Sequence, residues 1–154
     1  RHLLNPATGL LGARAVLVDY GYMHQSNGQV QELSRSWDRL FIRSILHYGN
    51  VLIIPSIWYR LPEGDSEDYN PDIEDYLGYG ELVISNLSEK HNWRMKLIPG
   101  KDKQGVELAY SYPLTSYMRY YLKVNYGYGH SLIDYNHKTE RIGIGVVLTS
   151  WSTL

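Results

Sequence analysis

From Tyr117 to Tyr128 the side chains alternate without a break. Met118, Tyr120, Leu122, Val124, Tyr126 and Tyr128 share one parity, and Arg119, Tyr121, Lys123 and Asn125 share the other. A β-strand sends successive side chains to opposite faces, whereas a helix repeats about every 3.6 residues, so this run is amphipathic only as a strand. The same rhythm recurs along the chain, cut by turn-forming stretches at His47–Asn50, Leu87–Lys90, Pro99–Gly105 and Pro113–Ser116. It predicts about eight strands, near 13–26, 33–46, 51–60, 76–86, 91–98, 106–112 and 117–128, with a last one carrying Ile142, Ile144, Val146 and Leu148. Short turns between them make the meander antiparallel. Pro55 falls inside the third strand and predicts a bulge or irregular pairing there. Gly78 and Gly80, in the fourth, leave room for a close approach, read as a possible dimer seam.

No run of about 18 apolar residues occurs, which excludes a transmembrane helix. A membrane barrel would show no such run either, because its strands are short and alternate. The aromatic set, Tyr 15, Trp 4 and Phe 1, is skewed toward rings with one wet end, which suit a membrane–water boundary. Tyrosines at both ends of the 117–128 apolar face read as two interfacial belts. Arg35, Arg39 and Arg43 share the inward face of the second strand, as a polar barrel interior requires; a solvated face of a soluble sheet would look the same. A net charge of −1 gives no electrostatic case for nucleic acid, and Cys 0 rules out disulfides and zinc–thiolate sites. His2, His47, His91, His130 and His137 have no partner at metal-ligand spacing. The acids between Leu61 and Asp75 fit no EF-hand loop and read as a solvated connection.

The stretch from Tyr20 to Ile42 holds the chemistry. On the first strand Val18, Tyr20, Tyr22, His24 and Ser26 share a face, with His24 and Ser26 roughly 7 Å apart along it. Antiparallel pairing with His24 opposite Asp38 sets Tyr22 against Leu40, Tyr20 against Ile42 and Ser26 against Ser36, keeping the apolar faces together. One patch then carries a nucleophile, a base and an orienting carboxylate: Ser26, His24 and Asp38.

The order of motifs resembles outer membrane phospholipase A. It is carried by His24-Gln25-Ser26-Asn27-Gly28, Ser34-Arg35-Ser36-Trp37-Asp38-Arg39-Leu40, Asn70-Pro71-Asp72-Ile73, Ser111-Tyr112-Pro113 and Gly127-Tyr128-Gly129-His130-Ser131-Leu132-Ile133-Asp134-Tyr135-Asn136. The resemblance implies an all-β, antiparallel up-and-down transmembrane β-barrel of twelve strands in the bacterial outer membrane. It implies an esterase acting on phospholipid acyl chains, active as a calcium-bound homodimer with its site on the outer wall. The family's histidine and serine fall on His24 and Ser26. Its third triad member, normally asparagine, falls on Asp38, which puts a potential charge on a lipid-facing wall. The calcium ligands fall on the backbone carbonyl of Gln29 and the hydroxyl of Ser34, although Gln31-Glu32-Leu33 departs from the family pattern. The backbone N–H of Gly28 is the candidate oxyanion donor.

About eight strands are too few for twelve, and the chain begins at Arg1 without a signal-like segment. The expectation is one partial barrel domain, 1–154, without its N-terminal strands and signal peptide, with the residues before the Asn5–Gly9 turn as the tail of a further strand. The ending Ser150-Trp151-Ser152-Thr153-Leu154 departs from the terminal aromatic of outer-membrane barrels. Two other readings are a non-enzymatic barrel, pore or scaffold, and a soluble ligand-binding barrel of lipocalin type.

Overall fold

The computed structural model describes residues 2–4, 12, 15–30, 33–64 and 68–148. The Asn5–Gly9 turn, Gln31 and Glu32, the loop acids Asp65 and Glu67, and the Ser150–Leu154 ending lie outside the described residues. Among the described residues nine strands follow in order: β1 (His2–Leu4), β2 (Ala15–Ser26), β3 (Ser36–Tyr48), β4 (Val51–Arg60), β5 (Gly80–Leu87), β6 (Asn92–Pro99), β7 (Gln104–Pro113), β8 (Met118–Gly127) and β9 (Thr139–Leu148). They form one sheet in the order β1-β2-β3-β4-β5-β6-β7-β8-β9, every neighbour antiparallel. This is an up-and-down meander, the wall of a β-barrel. The eight expected strands are β2 to β9, and β1 is the further strand whose tail the sequence suggested.

The two faces differ as the alternation requires. Tyr20, Tyr22, Leu40, Ile42, Ile57, Tyr59, Leu108, Tyr120, Leu122 and Tyr126 are exposed on one face. The other face carries ions in pairs. Arg94 and Lys123 both meet Glu107 at 2.8 Å, Lys96 meets Glu81 at 2.7 Å, and Arg43 bonds Asp19. Apolar groups outside and paired charges inside invert the usual soluble pattern, as a barrel wall in lipid does.

Pro55 interrupts pairing without a bulge. The β3–β4 ladder stops after Arg43↔Ser56 and resumes at Leu46↔Ile53 in the same register. Proline has no N–H to give the ladder, so bonds are lost but no residue is inserted.

The largest departure from expectation lies between β4 and β5. A strand starting at Tyr76 is replaced by the helix α1 (Ile73–Leu77), and β5 begins only at Gly80. Gly78 has φ +60, and a Cβ there would sit 2.1 Å from the Pro99 carbonyl oxygen; at Gly80 it would sit 2.4 Å from that of Ser56. The close approach that this glycine pair allows is to the chain's own backbone. The helix packs over one end of the sheet, where Trp37, Ile73 and Tyr135 form a buried cluster with Trp58, Tyr76, Leu77 and Leu132 against it. The Tyr135 hydroxyl donates to Asp72. Asn70, completely buried, accepts the Ser36 N–H at 3.0 Å through Oδ1. Part of the acidic connection is therefore a packed cap, not a solvated loop. Tyr128 also departs: β8 ends at Gly127, with φ +96, and Tyr128 leaves the outer face to meet the Tyr76 ring at 5.4 Å.

Candidate active site

The β2–β3 hairpin has the expected register pair for pair: His24↔Asp38, Tyr22↔Leu40, Tyr20↔Ile42 and Ser26↔Ser36. Its inner face is packed. Trp37 is 0% exposed, and the Arg39 guanidinium lies 3.7 Å above its ring and 5.0 Å from the Trp58 ring. Gln25 Oε1 accepts from Arg39 at 2.7 Å and from the Trp37 indole at 3.1 Å. With every second residue fixed inward, the residues between are fixed outward.

On that outer face His24 Nδ1 and Asp38 Oδ1 are 2.8 Å apart. A carboxylate only accepts, so the imidazole proton sits on Nδ1 and Nε2 is left as the basic nitrogen. The side chains are 54% (His24) and 30% (Asp38) exposed, open to the surroundings of the wall. A third group joins them: the Tyr22 hydroxyl donates to the same Oδ1 at 2.5 Å. Tyr22 is the diagonal neighbour of Asp38 across the strands, a spacing a tyrosine spans.

Ser26 lies two residues beyond His24, at the end of β2 on the same face. Its Oγ accepts the Gly28 N–H at 3.1 Å. Ser26 and His24 make no hydrogen bond to each other among the described residues, so the base is held and the hydroxyl is parked on the turn beside it. In enzymes without substrate such bonds are often open and close in the complex. Gly28 has φ +69, and nothing lies within 4 Å of a Cβ built on it.

Asn27 organises the following loop, a role no spacing argument had given it. Its Oδ1 accepts from the N–H of Gln29 at 3.2 Å and of Arg35 at 3.0 Å, and its Nδ2 donates to the Leu33 carbonyl at 2.8 Å. One amide side chain thus ties both ends together, with Gln29 at one end and Ser34 at the other. Neither the Gln29 carbonyl oxygen nor the Ser34 hydroxyl bonds another described residue. Both are hard oxygen donors of the kind calcium takes, though two are fewer than the six to eight it usually has. No cluster of three or more His, Cys, Asp or Glu that could hold a metal exists among the described residues.

A separate cavity of about 320 Å³ lies on the inner side, lined by residues including Met23, Arg39, Glu81, Lys96 and His130. It is on the opposite side of the wall from His24, Ser26 and Asp38.

The family model for phospholipase A1 matches residues 3–148. The phospholipase A1 of Escherichia coli K12 is 42% identical over 139 residues, covering 85% of this chain and 45% of that protein. Two solved structures superpose on the fold at 40% identity, each covering 86% of this chain and 51% of the other. Outer membrane phospholipase A from Escherichia coli does so with a TM-score of 0.78, and the Salmonella typhi outer membrane phospholipase dimer with bound calcium with 0.77. The chain spans under half the length of the curated relatives it matches.

Proposed function

The chain belongs to the phospholipase A1 family, and from that premise we propose that it works in an outer-membrane phospholipase that hydrolyses acyl esters on the outside of its barrel. The observation that carries this reading is the His24–Asp38 bond on an exposed apolar wall, two residues from a serine whose Oγ already meets the backbone N–H of Gly28. Ser26 Oγ attacks the ester carbonyl and passes its proton to His24 Nε2. Asp38 keeps the imidazole in the right tautomer and stabilises its cation. The Gly28 N–H, already within reach of Oγ, turns to the oxyanion that forms next to it. His24 returns the proton to the leaving alcohol, and water repeats the sequence on the acyl-enzyme.

An outward site suits a substrate that surrounds the wall. Tyr20, Tyr22, Leu40, Ile57 and Tyr59 continue from the site down the same face, so an acyl chain meets apolar surface along its length. Gln29, through its carbonyl, and Ser34, through its hydroxyl, are the residues that would hold calcium. Bound there, calcium supplies positive charge that favours the oxyanion. Two oxygens fill only part of a calcium shell, and a second copy of the chain that supplies others links metal binding to a homodimer.

The test is phospholipid hydrolysis by the full-length protein in detergent or reconstituted membrane. Ser26→Ala should abolish it, and a calcium chelator should abolish it reversibly. Hydrolysis by Ser26→Ala at the parent rate rejects the reading.

A further inference from the structure

We propose that Tyr22 is a positioning residue that lets an aspartate do the work of the third triad member on this lipid-facing wall. The inference rests on the hydrolase reading and goes beyond it, to a group outside the serine–histidine–carboxylate set.

A carboxylate facing lipid is costly unless its charge is shared with donors. His24 Nδ1 supplies one donor at 2.8 Å. A single donor leaves the geometry loose, because a carboxyl group turns about its own bond and offers several acceptor directions. The Tyr22 hydroxyl supplies a second at 2.5 Å, on the same Oδ1. Two donors arriving at one oxygen from successive outward positions of β2, the strand beside Asp38, fix the rotation of the carboxyl group and so the plane of the imidazole. No Lys or Arg is paired to Asp38 among the described residues. Its other tie is the backbone carbonyl, which accepts the Leu61 N–H at 2.8 Å and holds strand β3 without touching the carboxylate.

Tyr22 is also built for the place. Its ring is 58% exposed on the outer wall, where an apolar ring with one polar end is at home. A Phe keeps that ring and removes only the donor, so the fold is not at stake in the test.

The neutral asparagine that the resemblance puts at this position needs less help. Its amide carries no net charge, and a hydrogen bond to a charged acceptor is worth about twice one to a neutral acceptor. Tyr22 should therefore matter with Asp38 and matter little when Asp38 is replaced by asparagine.

The experiment is a double-mutant cycle on the full-length enzyme. Tyr22→Phe should lower kcat by about ten- to a hundredfold with KM little changed, the size expected for a hydrogen bond to a charged group. Added to Asp38→Asn, the same substitution should lower kcat by only about two- to tenfold, as for a neutral bond. Equal losses in both backgrounds, or no loss in either, overturn the proposal. A second cycle needs no turnover. Tyr22→Phe should lower the unfolding temperature of the parent and leave that of Asp38→Ala unmoved; an equal drop in both overturns the proposal even if Ser26 is the nucleophile. If Ser26→Ala hydrolyses lipid like the parent, the hydrolase reading fails, and this second cycle still decides whether Tyr22 holds Asp38.

Discussion

The two faces of the β2–β3 hairpin are made from alternate residues of the same twenty-odd positions, yet they are organised in opposite ways. Inward, Trp37, Arg39 and Gln25 are locked by stacking and hydrogen bonds, and Trp37 has no exposed surface. Outward, Tyr22, His24, Ser26 and Asp38 stand in a row with few contacts besides those to one another. The inner face is where the fold is held, and the outer face is where the proposed chemistry is placed. Period two separates the tasks: a substitution on one parity leaves the other in place.

That separation can be broken or sharpened by experiment. The largest effect should come from the outer face. His24→Ala should lower hydrolysis by at least about a thousandfold, the scale seen when a member of a serine triad is removed, while the unfolding temperature stays within a few degrees. A large loss of stability would break the comparison. The converse belongs to Trp37→Ala. Deleting a fully buried indole costs about 3–5 kcal/mol, so the unfolding transition should fall steeply, while the variant still hydrolyses lipid under conditions where it is folded.

The cap gives a smaller, pH-dependent effect. Burial, together with the bond to Asp72, pushes the Tyr135 hydroxyl well above the usual tyrosine range. A group raised in the folded state contributes stability that is complete below its unfolded value, about 10 for tyrosine, and is lost as pH rises through the folded value. Thermal stability should thus fall above about pH 10, and Tyr135→Phe should flatten that fall. No difference between the two alkaline profiles would show that the cap does not hold Tyr135 neutral.

The smallest effect should come from Glu63, in the connection after β4. Burial raises its carboxyl, the charges of Asp68 and Asp38 add to this, and Arg60 and His24 oppose it. Its ionised form weighs against the fold at neutral pH. Glu63→Gln should raise the unfolding temperature slightly at pH 7, with the gain vanishing near pH 4, where the free carboxyl is itself protonated. A loss at pH 7 would make Glu63 a partner of the site and blur the boundary between the two faces.

Much of this was readable from alternation. The hairpin register follows because a one-residue slip would turn every apolar side chain of β2 to the wrong face, and only one pairing keeps Tyr20, Tyr22, Leu40 and Ile42 together while setting His24 against Asp38. The cap was not readable. Ile73 and Tyr135 are far apart in the chain, and what buries them is a non-local cluster with Trp37 that no period announces. Tyr76 to Tyr79 mimics a strand start, and what ends that possibility is the approach of Gly78 to the Pro99 carbonyl, a contact between distant residues. Tyr22 was legible as a position but not as a donor: its parity put it on the apolar face, and the role of its hydroxyl depends on a diagonal contact. The motif asparagines Asn27 and Asn70 carried the resemblance, while their work in tying loops to β3 shows only in their hydrogen bonds.

The central claim is that one outward hairpin face makes Ser26 a nucleophile through His24. The most direct measurement is labelling of the full-length protein with a serine-directed fluorophosphonate, with the modified residue mapped by mass spectrometry. The account predicts that the label sits on Ser26 and that His24→Ala slows its attachment at least about a hundredfold, in line with the loss of a general base. A label on another residue, or the same rate on Ser26 without His24, would contradict it.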